Sequence, residues 1–249
     1  MPGVRGGELR SWPDDYINKI IYGDCLDVMK EMPDKSIDVI ITDPPYMGHG
    51  GAISFIGGGG VAKAKVNSRT VGNIWMANYD GLLEFERIAK YGAIVFTSWH
   101  RIGEVKTALG GACVGLISWV KRNSMPSFRN RPRYMCEYIW LVEYKKGISW
   151  KRFETFYDFP MLSSGCISTG ERMLEKNSKK ALHPTQKPIQ LMAELVRAGS
   201  DEGWLILDPY AGTGTTIEAC KLMKRNFIGI ELNEEYIPLI EKRTAQGVL

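Results

Sequence analysis

Short apolar runs and stretches of helical periodicity alternate along the chain. The clearest run, IDVIIT at residues 37–42, is rich in β-branched residues, which is typical of a strand buried on both faces of a parallel sheet. Pro188 stands before an amphipathic stretch, at a first-turn position that proline tolerates in a helix. Strands are predicted at residues 17–22, 37–42, 93–97, 114–120, 138–142, 204–207 and 227–230, and helices at residues 26–32, 82–89, 188–198, 215–223 and 234–244. This alternation indicates an α/β fold built on a mostly parallel sheet.

The composition is that of an ordinary globular protein. Apolar residues occupy 44% of the 249 positions and charged residues 24%, which suits a single domain with a full core. No apolar run reaches the roughly 18–20 residues of a membrane helix, and the N-terminal residues lack the hydrophobic core of a signal peptide. The five cysteines form no Cys-x-x-Cys pair. We therefore expect neither a disulfide framework nor a metal site, and we expect a cytoplasmic protein.

Positive charge is concentrated in the middle of the chain. Residues 121–187 contain 14 Lys and Arg against 6 Asp and Glu, whereas the whole chain has a net charge of only +4. A basic middle segment within a more acidic frame is typical of a surface that binds a polyanion such as nucleic acid. A solvated basic surface would show the same pattern, so the charge alone leaves both interpretations open.

The segment LILDPYAGTGTTIEA, residues 205–219, reads as a strand, a glycine turn and the start of a helix. Gly212 and Gly214 allow a ligand to approach the backbone closely, and the helix N-terminus offers unpaired N–H donors. Asp208 stands at the carboxyl end of the strand, where open α/β sheets bind ligands. Glu231 ends the next predicted strand, where a carboxylate can accept hydrogen bonds from two ribose hydroxyls. The pattern favours a nucleoside site, although an ordinary turn between a strand and a helix is the alternative.

Two common nucleotide motifs do not fit this glycine turn. A dinucleotide fingerprint requires a third glycine where this chain has Ile217, and a P-loop requires a lysine that the turn lacks. A cradle for a pyrophosphate is therefore not indicated. A nucleoside without phosphates fits better, and S-adenosylmethionine (SAM) is such a ligand.

The tetrapeptide Asp43-Pro44-Pro45-Tyr46 directly follows the apolar run at residues 37–42. Asp43 is a hydrogen-bond acceptor when it is ionised. The two prolines have no N–H and a fixed φ, so the local carbonyls remain available as acceptors. Tyr46 adds a flat ring on which a base can stack. A strand that simply ends in two prolines is the alternative interpretation.

These groups suit the methylation of an exocyclic amine on a nucleic-acid base. Such an amine is a poor nucleophile because its lone pair is delocalised into the ring. Acceptors on Asp43 and on the Pro44 carbonyl would localise the lone pair and stabilise the positive charge that develops on nitrogen. The base would have to leave the duplex to reach the pocket. The glycine-rich segment at residues 47–73 is expected to be a mobile loop that closes over the site.

Three blocks of sequence form a recognisable set. The first joins Gly-Asp-Cys-Leu at residues 23–26 to TDPPY at 42–46, the second is HPTQKP at 183–188, and the third joins DPYAGTGTT at 208–216 to IELN at 230–233. Together they resemble the amino-group DNA methyltransferases of the N6-adenine/N4-cytosine family. The catalytic motif precedes the cofactor motif, which resembles the circularly permuted beta class of that family.

The resemblance implies a SAM-dependent methyltransferase fold, with a seven-stranded, mostly parallel sheet, one antiparallel strand and helices on both faces. It implies a single methyltransferase domain over residues 1–249. That domain would contain a catalytic half at about 17–143, a short target-recognition segment at about 144–182 and a cofactor-binding half at about 183–249. The target-recognition segment coincides with an irregular, basic stretch of the chain.

The resemblance also implies the site residues, with Asp43-Pro44-Pro45-Tyr46 as the catalytic element. Asp24 would contact the adenine end of SAM, and Glu231 would hold its ribose. Thr185 and Lys187 would meet the methionine carboxylate, although a surface lysine is the simpler interpretation of Lys187. The cofactor-binding set is Asp24, Cys25, His183, Thr185, Lys187, Asp208, Tyr210, Gly212, Gly214, Thr215 and Glu231, in which His183 serves equally well as a residue that shapes the turn.

Five basic residues beside a predicted strand are candidate DNA contacts, namely Lys121, Arg122, Arg129, Arg131 and Arg133. Phosphate contacts from them would give affinity without sequence information, and solvated side chains are the alternative. Double-stranded DNA is the expected partner. By analogy with permuted relatives, a homodimer and a cognate endonuclease of a restriction-modification system are further expected partners.

The resemblance predicts a site-specific enzyme that methylates N6 of adenine in DNA. Aspartate at the first position of the tetrapeptide is commoner in the adenine enzymes of this family, and serine is commoner in the enzymes that methylate N4 of cytosine, the alternative target. An RNA or protein-glutamine methyltransferase is less favoured, since the glutamine enzymes resemble Asn-Pro-Pro-Tyr here. A catalytically silent DNA-binding subunit would not need the intact motifs, and Ile217 disfavours a nicotinamide dehydrogenase.

Overall fold

The computed structural model describes residues 4–5, 11–45, 80–120, 136–150, 152–153 and 186–245 of the chain. The strands are β1 (Val4–Arg5), β2 (Lys19–Tyr22), β3 (Ile37–Thr42), β4 (Ala89–Thr97), β5 (Ala112–Val120), β6 (Cys136–Glu143), β7 (Leu205–Asp208) and β8 (Asn226–Glu231). The helices are α1 (Cys25–Lys30), α2 (Asp80–Ile88), α3 (Ile102–Leu109), α4 (Ile189–Gly199), α5 (Thr215–Leu222) and α6 (Ile237–Ala245), with a 3-10 turn at Glu234–Tyr236. Each predicted strand or helix overlaps an element of the structure.

The strands of the described residues form one sheet in the order β1-β2-β8-β7-β3-β4-β6-β5. Neighbouring strands pair in parallel from β1 through β4, whereas β6 runs antiparallel to both β4 and β5. β1 adds only two residues at one edge. The other seven strands, with β6 reversed, form the expected seven-stranded sheet with one antiparallel strand, so the fold prediction is confirmed.

The central strands contribute residues to two hydrophobic cores, one on each face of the sheet. In β3, Val39 and Ile41 belong to the first core, and Ile37 and Ile40 belong to the second. The first core includes residues of α4, α5 and α6, and the second includes residues of α1, α2 and α3. Helices therefore cover both faces, and the central strands are apolar at nearly every position because both of their sides are buried.

The chain changes its direction of travel across the sheet between β3 and β7. From β3 it passes through α2, on the face of the second core, to reach β4; from β7 it passes through α5, on the face of the first core, to reach β8. β3 and β7 are neighbours, with Val39 opposite Ile206. Their carboxyl ends therefore flank the crevice in which open α/β sheets usually bind ligands.

Some local features differ from the sequence predictions. β1 and α3 were not predicted, and α3 buries only Val105 and Leu109, which leaves little apolar pattern to detect. Pro188 precedes the first helical residue of α4 with an extended backbone, so it lies one position earlier than expected. The last predicted helix begins as a 3-10 turn, where the Asn233 side chain accepts a hydrogen bond from the Glu235 N–H at 3.0 Å.

Within the described parts of the chain, every helix is too short or too polar to cross a membrane.

Packing of α2 against the sheet gives a test of the second core. Phe85 is fully buried, whereas Leu83 on the same helix is 61% exposed. Replacing Phe85 with alanine should lower the free energy of unfolding by about 3–5 kcal/mol, because the change removes buried apolar contacts and leaves a cavity. Replacing Leu83 with alanine should change it by less than about 0.5 kcal/mol. Equilibrium urea unfolding measures both values, and equal losses would contradict the packing described for α2.

Candidate active site

The carboxyl ends of neighbouring strands bring together motifs that lie far apart in the sequence. Asp43 follows β3, the glycine turn follows β7, and Glu231 ends β8. β2 ends beside β8, with Tyr22 paired to Glu231, so Asp24 also lies at this edge of the sheet. Residues from both ends of the chain thus share one edge, as the sequence motifs require for a single site.

Asp43 lies directly beyond the last paired residue of β3, Thr42. Its carboxylate accepts a hydrogen bond from the ammonium of Lys187, which precedes α4. Pro44 is buried and Pro45 is half-buried, and neither can donate a hydrogen bond to a neighbouring strand. The first three residues of the tetrapeptide therefore form a fixed, acceptor-rich strand end.

Lys187 lies between two carboxylates. Besides Asp43, its Nζ is 3.2 Å from Oε2 of Glu137 on β6 and 5.0 Å from the centre of the Phe96 ring. Burial lowers the pKa of Lys187, but the charges of Asp43 and Glu137 and their hydrogen bonds outweigh this effect, and the pKa is raised above its usual value. The ammonium therefore stays charged. Its expected contact with the cofactor carboxylate stays a prediction, since its two carboxylate partners here belong to the protein.

A buried hydrogen bond joins the two central strands at their carboxyl ends. The Thr42 hydroxyl donates to Oδ1 of Asp208 at 2.6 Å, and the Tyr210 N–H donates to the same oxygen at 3.1 Å. Asp208 is 3% exposed. Burial raises its pKa to about 6, against the opposing effect of the hydrogen bonds from Thr216, Thr42 and Tyr210. The carboxyl that was predicted to bind cofactor is thus engaged by protein donors that tie the Asp-Pro-Pro segment to the glycine turn.

The glycine turn is held against the end of β8. The Gly212 N–H donates to Oε2 of Glu231 at 2.7 Å. Gly212 and Gly214 have φ values of 55° and 79°, in the left-handed region that favours glycine. A Cβ atom at Gly214 would also lie 2.7 Å from the Ile240 side chain. Position 214 therefore accepts only glycine, and the turn is a fixed structure.

Both carboxylate oxygens of Glu231 accept backbone hydrogen bonds, Oε2 from Gly212 and Oε1 from Asn233, each at 2.7 Å. Burial raises the pKa of Glu231 to about 7; the bonds from Asn233 and Gly212 oppose this shift, and the charge of Asp208 adds to it. Each carboxylate oxygen has a second lone pair, so the group retains the capacity to accept hydroxyl hydrogen bonds. The site therefore contains a carboxyl group that titrates near neutral pH beside the glycine turn.

Cys25 and Tyr210, both predicted to bind cofactor, lie together beside the start of α2. Burial raises the pKa of the Cys25 thiol to about 11, although a hydrogen bond with the Tyr210 side chain opposes the shift. A Cβ atom at Gly81 would lie 2.7 Å from the Tyr210 hydroxyl, so glycine leaves room for the ring. Cys25 therefore stays a neutral thiol that packs against Tyr210.

Asp24 is exposed and caps α1 by accepting a hydrogen bond from the Leu26 N–H at 2.8 Å.

Arg243 of α6 supports the glycine turn and was missed by sequence analysis. Its Nη1 donates to the Thr215 hydroxyl at 2.8 Å and to the Thr213 carbonyl at 3.2 Å, and its Nε lies 2.7 Å from Oε2 of Glu218. The Thr215 side chain thus supports the start of α5 from within the protein. An arginine in a C-terminal amphipathic helix resembles a surface residue in the sequence, which gave no sign of this role.

Glu137 is the second site residue that sequence analysis missed. It stands in the apolar strand β6, CEYIWLVE. An acidic residue within such a run is costly to bury without a partner. That cost is the one sign in the sequence that a buried cation faces this strand.

Several predicted site residues lie outside the described residues, and their roles stay predictions. Most of the target-recognition segment at about 144–182 is also outside them. The residues and segment concerned are Tyr46, the loop at 47–73, Lys121, Arg122, Arg129, Arg131, Arg133, His183 and Thr185.

Comparison with known proteins gives matches over most of the chain. The model of the N6/N4 methyltransferase family, described as DNA methylase, matches residues 37–242, a range that includes Asp43, the glycine turn and Glu231. Type II methyltransferase M.HinfI of Haemophilus influenzae is 29% identical, with 92% of this chain and 69% of the relative aligned. Type II methyltransferase M2.DpnII of Streptococcus pneumoniae is also 29% identical, with 96% and 94% aligned.

Solved structures share the fold. The M1.HpyAVI–SAM complex superposes with a TM-score of 0.57 at 24% identity, covering 90% of this chain and 98% of the other. The PvuII DNA methyltransferase, which is cytosine-N4-specific, superposes with a TM-score of 0.63 at 16% identity, covering 90% and 85%. At these identities the likeness shows the fold alone.

The buried Asp208 predicts an unusual pH dependence of stability. Its pKa is raised from 3.8 to about 6, so the folded protein binds this proton more tightly than the unfolded chain does. Its contribution to stability is therefore complete below about pH 4 and is lost as the pH rises toward 6. Replacing Asp208 with asparagine keeps an acceptor for Thr42 but removes the titration.

Relative to wild type, the Asp208→Asn variant should gain stability as the pH rises from 4 to 7, by up to about 3 kcal/mol. Urea unfolding of both proteins at half-unit pH intervals measures the difference. Leu83→Ala, at a residue that is 61% exposed, provides the control, because it changes no ionisable group and should leave the pH dependence unchanged. A constant difference between Asp208→Asn and wild type across this range would contradict the assigned titration.

Proposed function

The chain belongs to the N6/N4 family of DNA methylases, and on that premise we propose that it transfers a methyl group from SAM to N6 of adenine in DNA. The observation that carries the proposal is the hydrogen bond between Thr42 and Asp208. It fixes the carboxyl ends of β3 and β7 side by side. Asp43 therefore stands next to the turn that would hold the methyl donor.

The residues at this edge fit SAM. The glycine turn permits close approach and carries no lysine for phosphates, and Glu231 would accept the ribose hydroxyls. Asp24 would contact the adenine end, and Tyr210 would lie against the methionine part with Gly212 and Gly214. The N-terminus of α5 favours an anion such as the methionine carboxylate. His183, Thr185 and Lys187 complete the proposed set, while Cys25, Asp208 and Thr215 would shape its walls.

The chain would activate the amine through fixed acceptors. Asp43 and the Pro44 carbonyl would accept the two amine N–H bonds, and Tyr46 would stack on the flipped base. When bound, SAM supplies an electrophilic methyl group on a positively charged sulfur. Methyl transfer would join the amine nitrogen to that methyl carbon, and the electron pair of the broken carbon–sulfur bond would stay on sulfur. Asp43 would stabilise the positive charge on nitrogen and would then pass one proton from it to solvent, which restores a neutral amine.

The second candidate target is N4 of cytosine. The same two acceptors serve either amine, and a cytosine-N4-specific enzyme has the same fold. Adenine is preferred because the tetrapeptide begins with aspartate. Hydrolysis of methylated DNA to nucleosides followed by mass spectrometry separates the two products, and N4-methylcytosine as the product would overturn the adenine assignment.

The proposed setting is a restriction-modification system in the cytoplasm. Both aligned relatives are named Type II methyltransferases, and on that likeness we propose a cognate endonuclease and a homodimeric enzyme. Sedimentation of the purified protein tests the dimer.

The proposed single domain, 1–249, has its catalytic half at about 17–143 and its cofactor half at about 183–249. The basic segment between them would contact DNA, with recognition assigned to about 144–182.

Replacing Asp43 with alanine tests the catalytic assignment. Loss of one fixed acceptor should slow methyl transfer by roughly 10²–10³-fold, because the developing charge on nitrogen loses its stabilising partner. Radiolabelled methyl transfer from SAM to DNA from a methylation-deficient host measures the rate without knowledge of the recognition sequence. The exposed Asp34→Ala variant should retain the wild-type rate. Near-normal transfer by the Asp43→Ala variant would rule out the mechanism.

Replacing Glu231 with glutamine tests the ribose contact. The ionised carboxylate is the better acceptor, and its pKa is about 7, so SAM affinity of the wild type should rise between pH 6 and pH 8. The variant should bind roughly 10–100-fold more weakly at pH 8 and should lack that rise. Calorimetric titration at several pH values measures both quantities.

The pH dependence is the diagnostic result for Glu231. Glutamine places an amide donor near the N–H groups of Gly212 and Asn233, so weaker binding alone could reflect a disturbed turn. A variant whose affinity rises with pH as steeply as that of the wild type would show that Glu231 is not the titrating ribose acceptor.

A further inference from the structure

Three charged side chains from separate parts of the fold meet at the proposed amine site. Lys187 precedes α4, Asp43 follows β3, and Glu137 lies near the start of β6. The ammonium of Lys187 contacts the Asp43 carboxylate and lies 3.2 Å from that of Glu137. The side chains of Lys187, Asp43 and Glu137 are 6%, 23% and 17% exposed. Only Asp43 has a direct role in the proposed mechanism.

The reversed direction of β6 explains how Glu137 reaches this edge. Parallel strands present their carboxyl ends here, but β6 is antiparallel, so it presents its first residues. Tyr138 pairs with Thr97, the last residue of β4, and Glu137 pairs with Trp119 near the end of β5. The antiparallel strand therefore delivers an acidic side chain to the same edge as Asp43.

Burial makes the charge balance of this cluster important. A buried ammonium is stable only when it is paired, and removal of one partner leaves a charge that water cannot easily reach. Lys187 has Asp43 and Glu137 as partners, and it lies over the face of the Phe96 ring, which also favours a cation. The ammonium is thus held in place from several sides and cannot readily leave Asp43.

The formal charges of Asp43, Lys187 and Glu137 sum to one negative charge. Without Glu137, Lys187 would neutralise Asp43, and the site would offer no net charge to an amine that becomes positive. We propose that Glu137 and Lys187 are positioning residues for methyl transfer: Glu137 balances Lys187, and Lys187 orients the Asp43 carboxylate, which keeps its acceptor strength. The inference rests on the proposed function and assigns two further residues to the same reaction.

Three variants separate this charge balance from a structural role. Glu137→Gln removes the balancing charge and should lower the single-turnover rate of methyl transfer about tenfold. Lys187→Gln leaves Asp43 and Glu137 without their shared cation and should lower the rate by at least a similar factor. The double variant restores the wild-type sum of one negative charge, so it should be more active than Glu137→Gln alone. A double variant no faster than Glu137→Gln would contradict the charge balance.

Two further measurements show that the variants act on the chemical step. Calorimetry should give the Glu137→Gln variant a SAM affinity within about twofold of wild type, because Glu137 lies outside the proposed cofactor-binding set. The rates of the two variants that lack Lys187 are compared at saturating SAM, because Lys187 belongs to that set. In the protein without ligands, the unfolding midpoints of the two single variants and the double variant should be non-additive, as expected for groups in contact. Glu194→Gln, which alters an exposed pair with Arg197 on α4, is the matched control and should leave the rate unchanged.

The outcomes distinguish the two levels of proposal. A double variant that is no faster than Glu137→Gln, or a Glu137→Gln variant with the wild-type rate, overturns the positioning roles while the methyltransferase assignment stands. A wild-type protein that binds SAM but transfers no methyl group to DNA overturns the proposed function and this inference with it. A double variant that transfers methyl groups faster than Glu137→Gln supports the charge balance.

Discussion

The site depends on one buried hydrogen bond, from the Thr42 hydroxyl to the Asp208 carboxyl, between residues 166 positions apart in the chain. It connects the strand that precedes the Asp-Pro-Pro segment with the strand that precedes the glycine turn. Burying a carboxyl group is unfavourable unless donors surround it, and here Tyr210 and Thr216 also donate. The two strand ends are therefore held in one register, and the proposed distance between amine and methyl group follows from that register.

Acidic side chains dominate this edge of the sheet, which suits a reaction of positively charged groups. Asp208 and Glu231 both have raised pKa values, chiefly because burial disfavours their charged forms. The charge of Asp43 adds to the shift of Asp208, and the charge of Asp208 adds to that of Glu231. A methyl donor with a charged sulfur, and an amine that becomes positive, would each relieve that repulsion. Lys187 is the buried cation that the described residues place against Asp43, and Glu137 offsets its charge. The site thus gains rigidity from an ion pair without losing its net negative charge.

The sequence predicted what local chemistry determines. The strand IDVIIT, the glycine turn and the acid at position 231 each carry their own pattern, and the structure places all three as expected. Lys187 belongs to a motif, but whether its charge faces a ligand or Asp43 depends on the distant strand β6. Glu137 and Arg243 were missed for the same reason: each acts through a partner from another element, and neither has a local pattern. Asp208 was predicted to bind cofactor, yet its burial and its hydrogen bond from Thr42 depend on the pairing of β7 with β3.

The choice between adenine and cytosine depends on other contacts than those that activate the amine. The acceptors on Asp43 and Pro44 meet an N–H pair that both bases possess, so they contribute nearly equally to either reaction. Discrimination requires hydrogen bonds to ring atoms that differ between the bases, each worth about 1–3 kcal/mol. An enzyme that offers a donor or acceptor to the wrong base leaves that group unpaired, which is how large selectivities arise. Selectivity is therefore expected from side chains around the ring, and the proposed cluster of Asp43, Lys187 and Glu137 supplies the methylation chemistry common to both targets.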